Sequence, residues 1–295
     1  MFTVHIDPIE VHGWQGWRFK SGPVSLVITP AIGGRIQSLR FEGKELLFVP
    51  HQASGVLFDF SQVNDVQEFK KQQGFRIFGG DKTWVSPQSA WTLGIPPIEL
   101  DAGAYQIAWE EQTAVLTSPI CRETGLQIVR KVRMDQDAKI YLEEQLHNKS
   151  DQPLTRGIWN VTQIRRPCEF FIPARKGAFR SYHEEDSTLP VVEQIYKEAH
   201  GWVEVFCHQP KLFKCGGMSS EGKVLIKMPL GGPKEIVWLK TFKQDDMATY
   251  AHRACVEVFN SDQDDYAEIE LHAPLQTIVP GEHVSFAQEW QLKKL

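Results

Sequence analysis

The chain lacks any long apolar run. No segment approaches the ~18 consecutive apolar residues of a membrane-spanning helix, so none is expected. The first residues, MFTVHIDPIEVHGW, show neither a basic start nor an apolar stretch of signal length. The expected location is therefore the cytoplasm, with no membrane partner. Cysteine is sparse and odd in number: Cys121, Cys168, Cys207, Cys215 and Cys255 are widely scattered. That excludes a disulfide framework and predicts reduced thiols. Positive charge is also short. Thirty-two Lys and Arg against 37 Asp and Glu leave a formal net charge of −5, which argues against nucleic acid as a partner.

Several motifs are missing too. No Gly-x-Ser-x-Gly elbow occurs. The ten histidines form no His-x-His pair and no two-histidine helical pair, and CHQPKLFKC (207–215) fits no zinc module, so no metal is expected. GMSSEGKV (217–224) nearly matches a phosphate-binding loop. Val224 stands where Ser or Thr should hold magnesium, and a strand follows instead of a helix, so the segment reads as a hairpin turn. SDQDDYAE (261–268) lacks the spacing of a calcium loop and reads as a hairpin tip. No cofactor is implied.

What the chain has in quantity is strands. VSLVIT (24–29), RIQSLRF (35–41), LQIVRKVRM (126–134), KIYLEEQLHN (139–148), RGIWNVTQI (156–164), EIVWLK (235–240), ACVEVFN (254–260) and AEIELHA (267–273) are alternating or β-branched runs. Gly, Pro, Asn and Asp punctuate them closely. Helix signals are few. VNDVQEFKKQQG (63–74) has loose helical spacing with Gly74 as a stop, and VVEQIYKEA (191–199) fits helix or strand. GIPPIEL (94–100) reads as an extended crossing. With no linker or repeat, residues 1–295 are read as a single all-β domain with a core rich in its 9 Trp and 17 Phe.

IFGGDKTWVSPQ (77–88) sets an acid, a cation and a tryptophan directly after Gly-Gly. Glycine pairs permit backbone angles and close approaches that other residues forbid. In ACVEVFN, strand alternation puts Cys255, Glu257 and Phe259 on one face and Val256 and Val258 on the other. A carboxylate between Cys and Phe would be partly desolvated, which raises its pKa. Its plain alternative is an ion pair with a cation such as Arg253.

Three stretches together resemble the galactose mutarotase-like (aldose 1-epimerase-like) superfamily. They are LVITPAIGGRIQSLRFEGKELLF (26–48), GGDKTWVSPQ (79–88), and ACVEVFN with YAEIELHAPLQTIVPGEHVSFAQEWQL (266–292). The second resembles a DUF4380-type branch, in which Gly-Gly precedes a basic residue, Trp and Pro-Glu. The resemblance implies a β-supersandwich of two large antiparallel sheets with few short helices, and a small-molecule sugar or sugar derivative held on a concave face. It also implies chemistry: a base removes the anomeric hydroxyl proton while an acid protonates the ring oxygen. The family's base falls on Glu257. Its mid-chain acid histidine is absent, because that strand carries Asn160, Thr162 and Gln163, of which the amides Asn160 and Gln163 can bind hydroxyls. Lys82, Asp81 and Arg35 would meet sugar hydroxyls, and Trp84 would stack on a pyranose. Gln88 stands where the branch has a glutamate. Lys240 and Lys243 would suit an anionic sugar. Convergence of Arg35, Asp81, Lys82, Trp84, Asn160, Gln163 and Glu257 on one cleft is the expectation. So is a Glu257→Gln variant whose stability changes little. The competing functions are an isomerase at the anomeric carbon, a non-catalytic carbohydrate-binding protein, and a β-sandwich interaction module. The oligomeric state is not encoded in any pattern seen here.

Overall fold

Alternation of side chains builds two large antiparallel sheets. In the strands Leu126–Met134 and Ile140–Asn148 every second residue is buried and the intervening ones are half-buried. That is the period-two pattern of a strand with one face on a core. The computed structural model describes residues 1–182 and 195–295. Among these, one sheet has twelve strands and the other ten. The sequence expectation of two large antiparallel sheets with few short helices is met. The described α-helices are Val66–Gln73 and Ile98–Ala102.

The core lies between the sheets. Leu26, Ile36, Ile158 and Ile269 of the twelve-stranded sheet pack with Ile128, Leu142, Trp238 and Trp290 of the ten-stranded one, all fully or nearly fully buried. Each such large side chain contributes about 1.5–3 kcal/mol on burial. The outer face of the twelve-stranded sheet carries two further apolar clusters. One includes Trp14, Ile32, Val49, Phe78 and Ile98, and the other is Trp84, Trp91, Trp159 and Val161.

Five neighbouring strands of the twelve-stranded sheet carry the chemistry described below. In spatial order they are Asp81–Ser86, Leu154–Arg165, Tyr266–His272, Val256–Asn260 and Phe213–Gly217.

Some local expectations shift. Asp65 caps the first helix through its carboxylate, and Gly74, at φ 65°, ends it. Residues 94–100 do not simply cross in extended form, because Pro97 starts the helix Ile98–Ala102. Residues 217–224 form a corner, not a hairpin: they lead from Phe213–Gly217 in one sheet to Lys223–Gly231 in the other. Residues 261–265 are a hairpin tip between two paired strands. Tyr196–Ala199 is a strand, and 191–194 lie outside the described residues. All five cysteines are free and buried. No described helix is long and apolar enough to cross a membrane.

Candidate functional site

Gly79 and Gly80 let the chain enter the sheet between two backbones. Both have positive φ, 76° and 71°. A Cβ on Gly79 would lie 2.5 Å from the Phe48 carbonyl oxygen, and one on Gly80 would lie 2.3 Å from that of Ile36. No other residue fits. The strand that follows alternates sharply. Asp81 and Thr83 point between the sheets, while Lys82 and Trp84 point to the outer face of the twelve-stranded sheet.

Asp81 is therefore not a sugar ligand on that outer face. Its carboxylate is fully buried and pairs with Arg130, accepts from Asn160 Nδ2 at 3.0 Å and Thr162 Oγ1 at 2.7 Å, and lies 3.9 Å from Lys240 Nζ. Asn160 Nδ2 also donates to Glu144 Oε1 at 3.1 Å, and its Oδ1 accepts from Lys240 at 3.1 Å. Arg130, Glu144, Lys240 and Gln288 occupy core positions of four strands in the opposite sheet, and Gln288 Nε2 donates to Glu144. Asp81 and Asn160 thus tie the sheets together. Lys240, expected to meet an anionic sugar, is sealed in the same network, and burial lowers its pKa to about 8 against the pull of Asp81 and Glu144.

The outer face holds a second cluster. Register places Glu257 opposite Glu270 and Gly216, Glu270 opposite Val161, and His272 opposite Trp159. Both carboxylate oxygens of Glu257 are engaged. Oε1 accepts from His252 Nδ1 at 2.9 Å, and Oε2 accepts from His272 Nε2 at 3.0 Å and Lys214 Nζ at 2.8 Å. Lys214 also reaches Glu270 Oε2 at 2.8 Å, which accepts from Trp159 Nε1 at 2.9 Å. A carboxylate only accepts, so the nitrogens facing Glu257 carry the protons of both imidazoles. The other ring nitrogen of His252, Nε2, belongs to a side chain 20% exposed. Gly216 makes the room: a Cβ there would lie 2.8 Å from Glu257 Cγ and 2.9 Å from Tyr182 Cε2.

The electrostatics differ from the sequence expectation. Burial alone would raise the Glu257 pKa. Lys214, His272 and the hydrogen bonds from both histidines outweigh it and hold the carboxyl well below its ordinary range. Cys255 does not flank it on that face, since its thiol packs into the core and accepts from Ser219 N–H. Arg253 is exposed, and the cation on Glu257 is Lys214. The raised carboxyl is Glu270: burial, reinforced by Glu257 and Glu268, pushes it up to about 8 in spite of Lys214. Its ordinary value is 4.5. Between those values folded Glu270 keeps a proton that the unfolded chain has released, so stability falls as pH rises. His272, lowered from 6.5 chiefly by burial, opposes this only below 6.5. The melting temperature is therefore expected to fall between pH 6.5 and 8 more steeply in the native protein than in Glu270→Gln. Equal slopes would disprove the assignment.

His252, Glu257 and His272 place three possible ligand atoms within 4.8 Å of one another. The donor set nevertheless fits a metal poorly. The Lys214 ammonium already sits on the shared carboxylate oxygen, and buried His272 Nδ1 has no acceptor, whereas metal-bound imidazoles donate their second N–H. Dialysis against a chelator is expected to leave the melting temperature unchanged. A clear drop restored by zinc would reassign the cluster.

Farther along the same face stand Lys82, Gln163 and Glu268. Gln163 Nε2 donates to Glu268 Oε1 at 2.7 Å, and Lys82 Nζ lies 3.6 Å from the same oxygen and 4.4 Å from the Trp84 ring centroid. Arg35 lies behind them. It donates to Asp101 Oδ1 at 2.5 Å and to the carbonyls of Gly79 and Asp101, and Asp101 Oδ1 also accepts from Trp84 Nε1 at 2.7 Å. Arg35 thus fixes Trp84 and is spent doing so. Trp84 meets Trp91 and Trp159 edge-on, and Trp159 is stacked between Trp91 and His272. Only 8% of Trp84 is exposed, which leaves little ring for a pyranose. Gln88 is exposed in the short turn Gln88–Ala90 after this strand.

Of the expected residues, Lys82, Trp84, Gln163 and Glu257 share one face, with Arg35 supporting it. Asp81 and Asn160 face the opposite sheet. Sequence reasoning missed Lys214, His252, Glu268, Glu270 and His272. A signal existed in AEIELHA, where Glu268, Glu270 and His272 fall on one face of a strand whose other face is apolar.

No family model and no curated protein sequence matches the chain. Solved structures do. A galactose mutarotase-like protein from Clostridium acetobutylicum aligns over 99% of both chains at 12% identity, with a TM-score of 0.60. One from Lactobacillus casei covers 98% of this chain and 100% of its own at 8% identity and 0.58. A galactose mutarotase related enzyme from Lactobacillus acidophilus covers 98% and 97% at 10% identity and 0.54. Identity this low carries fold alone, and the narrower branch suggested by GGDKTWVSPQ gains no support. Over nearly its whole length, then, this chain has the galactose mutarotase-like fold.

Proposed function

We propose that the outer face of the twelve-stranded sheet binds a monosaccharide and exchanges its anomers. One observation carries this reading: two proton-handling groups lie on one face. His252 is held through Nδ1 on ionised Glu257, so Nε2 is the ring nitrogen left to meet a ligand, and Glu270 keeps a proton at neutral pH. Environments that push neighbouring titratable groups apart assign base and acid. In this reading His252 Nε2 takes the anomeric hydroxyl proton, and Glu257 orients and stabilises the imidazolium. The C1–O5 bond breaks, the ring oxygen receives the Glu270 proton, and the open aldehyde recloses on either face by the reverse steps. The assignment revises the sequence expectation in one respect: Glu257 acts through His252 and not as the base itself, because neither of its oxygens is free.

Polarimetry of freshly dissolved α-D-glucose and α-D-galactose tests the reading. Relaxation faster than the buffer alone, in proportion to protein, is expected. Glu270 is only 1% exposed, which favours a second reading, sugar binding without turnover. Binding in calorimetry with no acceleration would establish it.

A further inference from the structure

Two histidines meet on the outer face of the ten-stranded sheet, on the opposite side of the sandwich from Glu257. His147 and His283 stand directly across from each other on the neighbouring strands Ile140–Asn148 and His283–Lys294. Their rings are stacked, with centroids 4.6 Å apart and planes 19° from parallel. Asn148 N–H donates to the Glu282 carbonyl at 3.0 Å, so the two histidines form a non-hydrogen-bonded pair, the more closely spaced kind in an antiparallel ladder. The backbone beneath them is fixed. Asn148 is buried, its Nδ2 donates to the carbonyls of Gln152 and Ile278 at 2.7 and 2.8 Å, and its own carbonyl accepts from Gly281 N–H at 2.9 Å. One ring is also oriented. Gln145 Nε2 donates to Glu143 Oε1 at 2.7 Å, so Gln145 Oε1 is the atom that faces His147 Nε2 at 3.0 Å and accepts its N–H. Nδ1 is then the His147 nitrogen left to meet a ligand.

We propose that His147 and His283 form a two-imidazole site for a late first-row divalent metal ion, binding Cu(II) most tightly, with water completing its shell. Imidazole suits copper, nickel and zinc, and the pair supplies no oxygen for the hard cations calcium and magnesium. The support behind His147 is the kind that metal-binding histidines have. The second ring N–H donates to an oxygen, here Gln145 Oε1, and Glu143 braces that amide in turn. Buried His272, in the Glu257 cluster, lacks such a partner. Two nitrogens sharing one ion lie roughly 3 Å apart, given metal–nitrogen bonds of about 2.0–2.1 Å. The facing rings reach that spacing by tilting about their side-chain bonds, with no movement of either strand. The pair is made by strand register, so no spacing in the sequence announces it. The site does not depend on whether a sugar binds the other sheet.

Calorimetric titration of the full chain with Cu(II), Ni(II) and Zn(II) chlorides tests the proposal, at about pH 7.5, where an ordinary histidine is mostly neutral. One Cu(II) per chain is expected, bound more tightly than Ni(II) or Zn(II). Its electron paramagnetic resonance spectrum should show coupling to imidazole nitrogens. His147→Gln and His283→Gln should each weaken Cu(II) binding by about a hundredfold or more, and Gln145→Met, which leaves both rings in place, by about tenfold. Gln145 and His147 are half-buried and His283 is exposed, so all three variants should melt near the native temperature. If one variant fails to fold, the other two still decide. Unchanged Cu(II) affinity in the folded His147→Gln and His283→Gln proteins would place the ion elsewhere, such as at the Glu257 cluster, and would overturn the site. Cu(II) binding no tighter than about 1 mM in the native protein would overturn it as well.

Discussion

Glu257→Gln is expected to lower the melting temperature and to slow anomer exchange by ~10² or more, the scale of a general-base contribution lost when His252 is no longer held in place. The stability loss reverses what the sequence suggests. A lone desolvated carboxylate would be relieved by neutralisation, but this one is the shared acceptor of Lys214, His252 and His272. Glutamine supplies one acceptor oxygen and turns an NH₂ toward a histidine N–H or the ammonium. Removing one partner of a buried ion pair costs about 3–5 kcal/mol. Activity loss in that variant would therefore be ambiguous alone, and His252→Asn separates the two causes. His252 sits at φ 54°, which asparagine tolerates better than most residues. It is also only partly buried. His252→Asn should melt near the native temperature yet lose the same ~10² in rate. Polarimetry and thermal melts on both variants decide. A His252→Asn protein with native exchange kinetics would remove His252 from the mechanism.

The strands were legible because their alternation is written residue by residue. In Leu126–Met134 and Ile140–Asn148 the period-two pattern predicts both extent and inward face. The same pattern contains the exceptions that matter. Arg130 and Glu144 fall on the buried phase of those strands, where an apolar residue is expected, and each finds its partners across the sandwich. Their partners cannot be read locally, since Asp81 and Asn160 lie 49 residues before and 16 residues after them, respectively. The site was half legible for the same reason. Lys82 and Trp84 alternate with Asp81 and Thr83, so GGDKTW could not supply Asp81 and Lys82 to one ligand. Adjacent strand residues point to opposite faces. His252 was invisible because its place depends on a loop with two successive positive-φ residues, His252 and Arg253, which no period describes.

The inter-sheet network yields the second large effect. Arg130 donates to the Gly34 carbonyl at 2.8 Å and the Asp81 carbonyl at 3.1 Å, pairs with the Asp81 carboxylate, and lies 3.8 Å from Glu144 Oε1. Arg130→Met keeps much of the stem volume but leaves Asp81 and Glu144 with Lys240 as their remaining cation. Lys240 Nζ lies 3.9 Å from Asp81 Oδ2, beyond hydrogen-bond range, so it does not replace the direct contacts of Arg130. The loss should be about 3–5 kcal/mol, the usual result of stranding a buried charge. For a chain of this size that is roughly a 10 °C fall in melting temperature. Sugar affinity per folded molecule should not change, because Arg130, Asp81 and Asn160 all lie between the sheets while Lys82 and Glu257 lie on the outer face. Thermal melts and calorimetry on one preparation measure both. A fall in affinity of tenfold with no loss of stability would mean that Asp81 and Asn160 face a ligand after all. A melting temperature within roughly 2 °C of native would mean that the network contributes no net stability, since that shift is under 1 kcal/mol at this size. The expected pattern, large destabilisation with intact binding, would locate the structural and ligand-facing halves of the GGDKTW strand on opposite sides of one sheet.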